Sequence, residues 1–314
     1  MSRILVAVTG WDVEPWLAAL SEAAPDREFV IESDGPDDAS IRYAVVWNQR
    51  RGALSSLPNL EMIFSMGAGV DHVLNDISLP DVPIVRIVSP DLTMRMSEYV
   101  VWRVLDHFRQ GPAYRSQQSG KIWRELPQPA ANAMTVGIVG LGVLGIDAAR
   151  ILRSMGFSIC GWSRTQKQID GVECSWGDDG LKQVLAQSDI VVVLLPLTPK
   201  TKGLINREFL DSMKEETPIG GPVLINAGRG GLQNETDILA ALDQGRLMAA
   251  SLDVFEAEPL DQNSPLWNHP AVTVTPHVAA SSEPTVLAAE IVRQMERIES
   301  GEVPSGLVDR KSGY

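Results

Sequence analysis

The chain has 314 residues, a formal net charge of −13 and 44% hydrophobic residues, a length and apolar content that point to two domains rather than one. The acidic balance argues against nucleic acid or an anionic membrane surface as the main partner. Two cysteines, Cys160 and Cys174, argue against a disulfide framework, and no apolar run approaches membrane-spanning length.

A strand-like apolar run at 4–8 follows Met1-Ser2-Arg3. It is too short and wrongly flanked for a signal peptide, and a reducing cytoplasm is the expected setting. Further apolar runs fall at 29–31, 43–47, 62–66 and 84–88. Such runs, separated by helix-length segments, predict a parallel sheet with helices on its faces. Asp12 is a candidate cap for a first helix through Leu20, and 54–60 reads as a short helix and turn.

The fourth run leads into Ser65-Met66-Gly67-Ala68-Gly69-Val70-Asp71-His72. Small residues at the carboxyl end of a strand let successive backbone N–H groups converge on a small anion. Gly67, Ala68 and Gly69 are therefore candidates to cradle a substrate carboxylate; a plain strand-to-helix turn is the alternative. Trp47, ending the third run, either walls the same site or is a structural tryptophan. His72 reads as a helix start rather than a base.

A helix from Met94 through Phe108 crosses from the first domain into the second. Residues 111–133, with Trp123, Pro127 and Pro129, predict a helix and an extended arm whose aromatic residues are candidates to meet a partner subunit.

The stretch 135–165 carries the strongest motif. An apolar strand at 136–139 runs into Gly140-Leu141-Gly142-Val143-Leu144-Gly145, then a helical pattern to Met155, then a second strand at 157–162. This is the strand, glycine turn, helix and strand of a dinucleotide-binding unit. Gly140 permits the turn, Gly142 lets backbone approach a pyrophosphate, and Gly145 lets the helix lie close to the strand. Leu144 lies inside the same turn. An NAD site places an acid near the end of the second strand to bind the ribose 2′-OH. Here Ser163, Arg164, Thr165 and Lys167 stand instead, two hydroxyls and two cations that suit a 2′-phosphate. The expected cofactor is NADPH rather than NADH; a solvated basic turn is the alternative reading.

Strand-like runs follow at 190–195, 223–226, 249–255 and 272–274, making six strands with crossovers in a doubly wound sheet. Asn234 is a candidate cap for a helix over 235–242, and a last helix spans 283–298. Arg229, Glu258 and His277 each lie just beyond a strand, so all three can reach one cleft. A carbonyl that accepts hydride needs a proton donor, and histidine suits that near neutral pH. A neighbouring carboxylate stabilises the histidine cation. Arginine can fork a substrate carboxylate and polarise the carbonyl. Singly, each has a duller reading, and Glu256 competes with Glu258.

These motifs, with Leu195-Pro196-Leu197-Thr198-Pro199, Asn226-Ala227-Gly228-Arg229-Gly230, Leu252-Asp253-Val254-Phe255 and Pro276-His277-Val278-Ala279-Ala280, resemble the D-isomer-specific 2-hydroxyacid dehydrogenase family. The resemblance implies an α/β fold of two Rossmann-like domains: a doubly wound parallel sheet for the cofactor over 101–282, and a smaller flavodoxin-like substrate domain from 1–100 and 283–314. It implies that Arg229, Glu258 and His277 are catalytic, that Gly67, Ala68 and Gly69 bind the substrate carboxylate with Arg229, that Asp253 contacts the nicotinamide amide, and that Leu195, Pro196 and Ala227 line the cofactor cleft. It implies NADPH-dependent reduction of a small 2-oxo acid (glyoxylate, hydroxypyruvate or similar) by a homodimer, with no metal. Alternatives on this fold are a phosphoglycerate-type dehydrogenase and a non-catalytic NAD(P)-sensing protein. The stretch 90–96 departs from the family pattern, and Gly230-Gly231 is expected to loosen the turn after Arg229.

Overall fold

The computed structural model describes residues 3–32 and 39–314. The chain divides into two compact units, Met1–Leu92 with Ser282–Tyr314, and Thr93–Ser281.

In the first unit β1 (Arg3–Val8), β2 (Glu28–Ile31), β3 (Ile41–Trp47), β4 (Met62–Ser65) and β5 (Ile84–Arg86) form one parallel sheet in the order β2-β1-β3-β4-β5, the flavodoxin-like order. Alternation along the strands divides the core. Ile4, Val6, Tyr43, Val45 and Phe64 pack with Trp16 and Leu20 of α1 (Glu14–Ala23) and with Leu287, Ile291 and Met295 of the last helix, Pro284–Glu299. Leu5, Ala7, Val46, Ile63 and Ile84 face the other way, onto Leu54, Leu57, Leu60 and Val73. Val73 belongs to α2 (Asp71–Leu74), which His72 helps to start as expected.

Helix α1 and the segment 54–60 differ from the sequence reading. Helix α1 starts after Val13, and Asp12 Oδ1 accepts from the Glu14 N–H at 3.2 Å from just outside the helix. Residues 54–60 form turns, not a helix. Leu54, Leu57 and Leu60 mimic helical spacing, but Pro58 removes a donor and disfavours helical backbone at Leu57.

Helix α3 (Pro90–Phe108) begins ahead of Met94: Pro90 opens it, and Ser89 Oγ accepts from the Leu92 N–H at 3.1 Å. After α4 (Gly111–Ser119) and an extended arm come β6 (Thr135–Val139), α5 (Val143–Ser154), β7 (Ser158–Ser163), β8 (Glu173–Trp176), α6 (Gly177–Gln187), β9 (Ile190–Val193), α7 (Arg207–Asp211), β10 (Val223–Asn226), α8 (Glu235–Asp243), β11 (Ala249–Leu252) and β12 (Val272–Val274). The strands make a parallel sheet in the order β12-β11-β10-β9-β6-β7-β8, which counted from β6 is the doubly wound Rossmann order. The fold is thus α/β with two Rossmann-like sheets. The second sheet has seven strands where six were expected. The addition, β8, is an edge strand with Glu173 and Trp176 exposed, so it lacks the continuous apolar run that marks a buried strand.

One face of this sheet, including Val136, Ile138, Ile190, Val192 and Ile225, packs on α3 and α5 through Val100, Val104, Ala148 and Leu152. On the other face Val139, Val191, Val193 and Leu224 meet Val184, Phe209, Ile238 and Leu242 of α6, α7 and α8. Asn234 caps α8 as expected, its side chain accepting from the Asp237 N–H at 3.0 Å. Among the described residues no helix is long and apolar enough to cross a membrane.

Candidate active site

The glycine turn joins β6 to α5. Gly140 has φ +119, and a Cβ there would stand 2.9 Å from the Leu194 backbone. A Cβ on Gly145 would meet the Gly140 carbonyl oxygen at 2.1 Å. Both glycines are required by the protein's own packing. Gly142 is not, because a Cβ there would meet nothing within 4 Å. Its bare backbone sits at the N-cap of α5, which has no side-chain cap. The first-turn N–H groups of α5 and the space over Gly142 fit an approaching pyrophosphate. Leu144 is half-buried on the first turn, while Leu195 and Ala227 are buried and Pro196 is half-buried at the ends of β9 and β10.

The basic turn follows β7. Ser163 is buried and its Oγ donates to the Thr165 carbonyl at 2.8 Å; Arg164 and Thr165 are exposed. Lys167 folds back, its Nζ donating to the Leu141 carbonyl at 2.5 Å. The lysine thereby ties the basic turn to the glycine turn, a contact that sequence spacing did not indicate.

The three expected catalytic groups stand beyond β10, β11 and β12. His277 Nδ1 lies 2.7 Å from Glu258 Oε2, and both side chains are about one-third exposed, at 35% and 36%. Glu258 Oε1 accepts from the Phe255 N–H at 3.0 Å. Burial pushes the Glu258 carboxyl up, but the His277 hydrogen bond and charge, the Phe255 amide and the Arg229 charge outweigh it and hold the group below its ordinary value. Glu256 does not compete: it is exposed and exchanges reciprocal bonds with Glu235 at the start of α8, at 2.8 and 2.7 Å.

Arg229 is half-buried, and its Nη1 donates to the Gly228 carbonyl at 2.8 Å. The glycines after it do not loosen the turn. They start a 3-10 turn, Gly230–Leu232, where a Cβ on Gly230 would stand 1.7 Å from the Phe255 carbonyl oxygen and one on Gly231 2.8 Å from the Leu197 side chain. Close packing, not freedom, selects glycine there. Asp253 is buried, 1% exposed, and its carboxylate accepts from Thr275 Oγ1 and from the Val278 and Ala279 N–H groups.

Gly67, Ala68 and Gly69 lie in the first unit. Ser65 Oγ stands 3.4 and 3.3 Å from the carbonyl oxygens of Gly67 and Gly69, and Arg86 Nη1 reaches that of Ala68 at 3.5 Å. Among the described residues nothing accepts from the three amides of this loop, which is the donor-rich arrangement an anion needs. Trp47 covers it closely: a Cβ on Gly67 would stand 2.3 Å from the indole ring. Trp47 also stacks on Trp11, with ring centroids 4.5 Å apart.

The NAD-binding domain of the D-isomer specific 2-hydroxyacid dehydrogenases matches residues 101–279. The chain belongs to the D-isomer-specific 2-hydroxyacid dehydrogenase family. Members of this family are NAD(P)-dependent oxidoreductases, and so is this chain. Among solved structures, an NADPH-dependent glyoxylate/hydroxypyruvate reductase from Sinorhizobium meliloti, in complex with NADP and sulfate, is 47% identical with a TM-score of 0.96, and the match covers 100% of both chains. A probable 2-hydroxyacid dehydrogenase from Rhizobium etli, in complex with NADP, HEPES and tartaric acid, is 42% identical over 100% of both chains with a TM-score of 0.94. A family member from Xanthobacter autotrophicus, in complex with NADPH and MES, is 38% identical over 100% of this chain and 99% of that one, with a TM-score of 0.93.

Proposed function

We propose that this dehydrogenase uses NADPH to reduce a small 2-oxo acid, such as glyoxylate or hydroxypyruvate, to the D-2-hydroxy acid (glycolate from glyoxylate). The observation that carries the reading is the His277–Glu258 pair within a charge field that includes Arg229. The similarity to the Sinorhizobium meliloti glyoxylate/hydroxypyruvate reductase supports the substrate class and the cofactor.

Bound NADPH supplies the hydride for the C2 carbonyl. The Gly140, Gly142 and Gly145 turn, with Leu144, Leu195, Pro196 and Ala227, would hold the dinucleotide; Arg164, Thr165 and Lys167 would hold its 2′-phosphate, and Ser163, whose one hydroxyl proton goes to the Thr165 carbonyl, would shape that turn. Glu258 engages Nδ1 of His277, which leaves Nε2 to donate a proton to the carbonyl oxygen. Arg229 and the amides of Gly67, Ala68 and Gly69 offer donors to the substrate carboxylate, with Trp47 bordering the loop. The Asp253 carboxylate has about four acceptor sites and accepts three bonds within its own unit, so one site on Oδ2 remains for a nicotinamide amide.

The protein works as a cytoplasmic homodimer in this reading. Supporting it are two free cysteines and the exposure of Trp102, Ile122 and Trp123 along α3 and the arm after α4, since exposed aromatic residues mark interaction surfaces. Loss of NADPH absorbance with a panel of small 2-oxo acids tests the activity. No consumption with any of them would overturn it.

A further inference from the structure

His277 stands in the left-handed backbone region, with φ +53. A non-glycine residue there is strained and persists only when its surroundings over-determine it. What determines it is Asp253. The Asp253 carbonyl accepts from the His277 N–H at 2.8 Å. Its carboxylate accepts from the next two amides, Val278 at 3.0 Å and Ala279 at 2.9 Å. One buried residue thus receives three consecutive N–H groups of the turn that carries the imidazole.

The carboxylate is itself held. Thr275 Oγ1 donates its single proton to Asp253 Oδ1 at 2.6 Å, because a carboxylate can only accept. The Tyr99 hydroxyl lies 2.8 Å from the same Oγ1. With the threonine proton committed, Tyr99 is the donor of that bond. The bonds therefore run in one direction, from Tyr99 to Thr275 to Asp253. Tyr99 is 6% exposed and packs in the core with Val100 and Val104 of α3. Burial, set partly against the Thr275 bond, pushes its phenol up to about 12, so it remains a donor across the physiological range.

We propose that Thr275 and Tyr99 are positioning residues for His277: their hydroxyls fix the Asp253 carboxylate, and Asp253 holds residues 277–279 in the turn that aims the imidazole. Neither hydroxyl need touch substrate. The kinetic consequence rests on the reductase reading of His277; the conformational one does not.

The test uses the full-length enzyme with three variants, NADPH and glyoxylate. Thr275→Val keeps the shape and removes the hydroxyl. Thr275→Ser keeps the hydroxyl. Tyr99→Phe removes only the donor to Thr275 and keeps the ring in the core, so it serves if Thr275→Val does not fold. Thr275→Val is expected to lower kcat about tenfold and Tyr99→Phe about threefold, as a displaced acid would. NADPH affinity by fluorescence should change far less than kcat, since of the proposed dinucleotide contacts only the one from Asp253 to the nicotinamide amide lies near the lost hydroxyl. Thr275→Ser should restore most of the rate. Hydrogen exchange at the Val278 and Ala279 amides should quicken in Thr275→Val and not in Thr275→Ser. Unchanged kcat and exchange in both hydroxyl-deleting variants overturn the proposal, as does equal loss in Thr275→Ser and Thr275→Val. A wild-type enzyme without turnover on any 2-oxo acid defeats the reductase reading instead, and the exchange rates then decide the positioning role alone.

Discussion

Asn226 and Gln233 share a buried hydrogen bond beneath the loop that carries Arg229, Asn226 Nδ2 donating to Gln233 Oε1 at 2.8 Å. The same Nδ2 reaches the Arg229 carbonyl at 3.2 Å, and Asn226 Oδ1 accepts from the Gly228 N–H at 3.1 Å. Gln233 Nε2 donates to the Val254 carbonyl at 2.9 Å, which links the loop to the end of β11. Replacing Gln233 by Leu leaves the Val254 carbonyl without its donor, and buried unsatisfied groups cost about 1–3 kcal/mol. Chemical denaturation should show that loss. If Arg229 holds the substrate carboxylate, the KM for the 2-oxo acid should rise more than kcat falls. A variant as stable as wild type would show the pair to be dispensable.

The His277–Glu258 pair, as the proposed acid and its carboxylate partner, makes a second prediction. His277→Ala should lower turnover by about 10²–10⁴-fold, the usual range for a general acid, while NADPH still binds. Glu258→Gln keeps a hydrogen-bonding side chain and removes the charge. The Glu258 carboxyl is held below its unfolded value, so its stabilising contribution is complete above the ordinary carboxylate range and is lost as pH falls through the depressed value. The stability gap between wild type and Glu258→Gln should therefore be widest near neutrality and close in acid. A gap that widens toward low pH would contradict the assignment.

Cofactor preference separates two cations. Arg164 is exposed on the basic turn, whereas Lys167 is tied to the Leu141 carbonyl. Arg164→Ala should lower the NADPH-to-NADH ratio of kcat/KM by about tenfold, the equivalent of one charge-assisted hydrogen bond. Lys167→Ala should weaken both cofactors, because it also frees the glycine turn. Kinetics with each dinucleotide distinguish the two; an unaltered ratio in Arg164→Ala would refute the 2′-phosphate role.

A fourth prediction concerns stability away from the site. His107 is buried on α3 with Nε2 2.8 Å from Ser251 Oγ and, among the described residues, no partner at Nδ1. Burial first, and then the Arg103 charge, push it down from 6.5 to about 4. The neutral ring is the folded form, so stability is complete above 6.5 and falls as pH drops toward 4, where the unfolded chain binds the proton more readily. Melting temperatures of wild type should decline across that window, and His107→Gln should decline less. Parallel curves would contradict this.

Much of the fold was legible because parallel strands buried on both faces write themselves as apolar runs, and all five runs of the first unit are strands. Helix α3 hid its true start behind Ser89-Pro90, a cap that resembles a loop until the chain is seen to turn. Strand β8 was illegible because an edge strand with exposed residues needs no apolar pattern. The candidate catalytic residues were proposed from their places after strands, and the structure has Arg229, Glu258 and His277 in those places. Their supports, Asn226, Gln233, Thr275 and Tyr99, were not, since a buried polar side chain looks like any other polar residue until its partners are known.

Local chemistry in the amino-acid sequence therefore determined the glycine turn, the basic residues after β7 and the types of group available for proton transfer, because each depends on neighbours along the chain. Tertiary structure alone decided that Glu258 and not Glu256 faces His277, that Lys167 returns to Leu141, and that Gly230 and Gly231 serve close packing. Those outcomes depend on atoms from different strands arriving within about 3 Å of one another, the scale on which hydrogen bonds and steric exclusion operate.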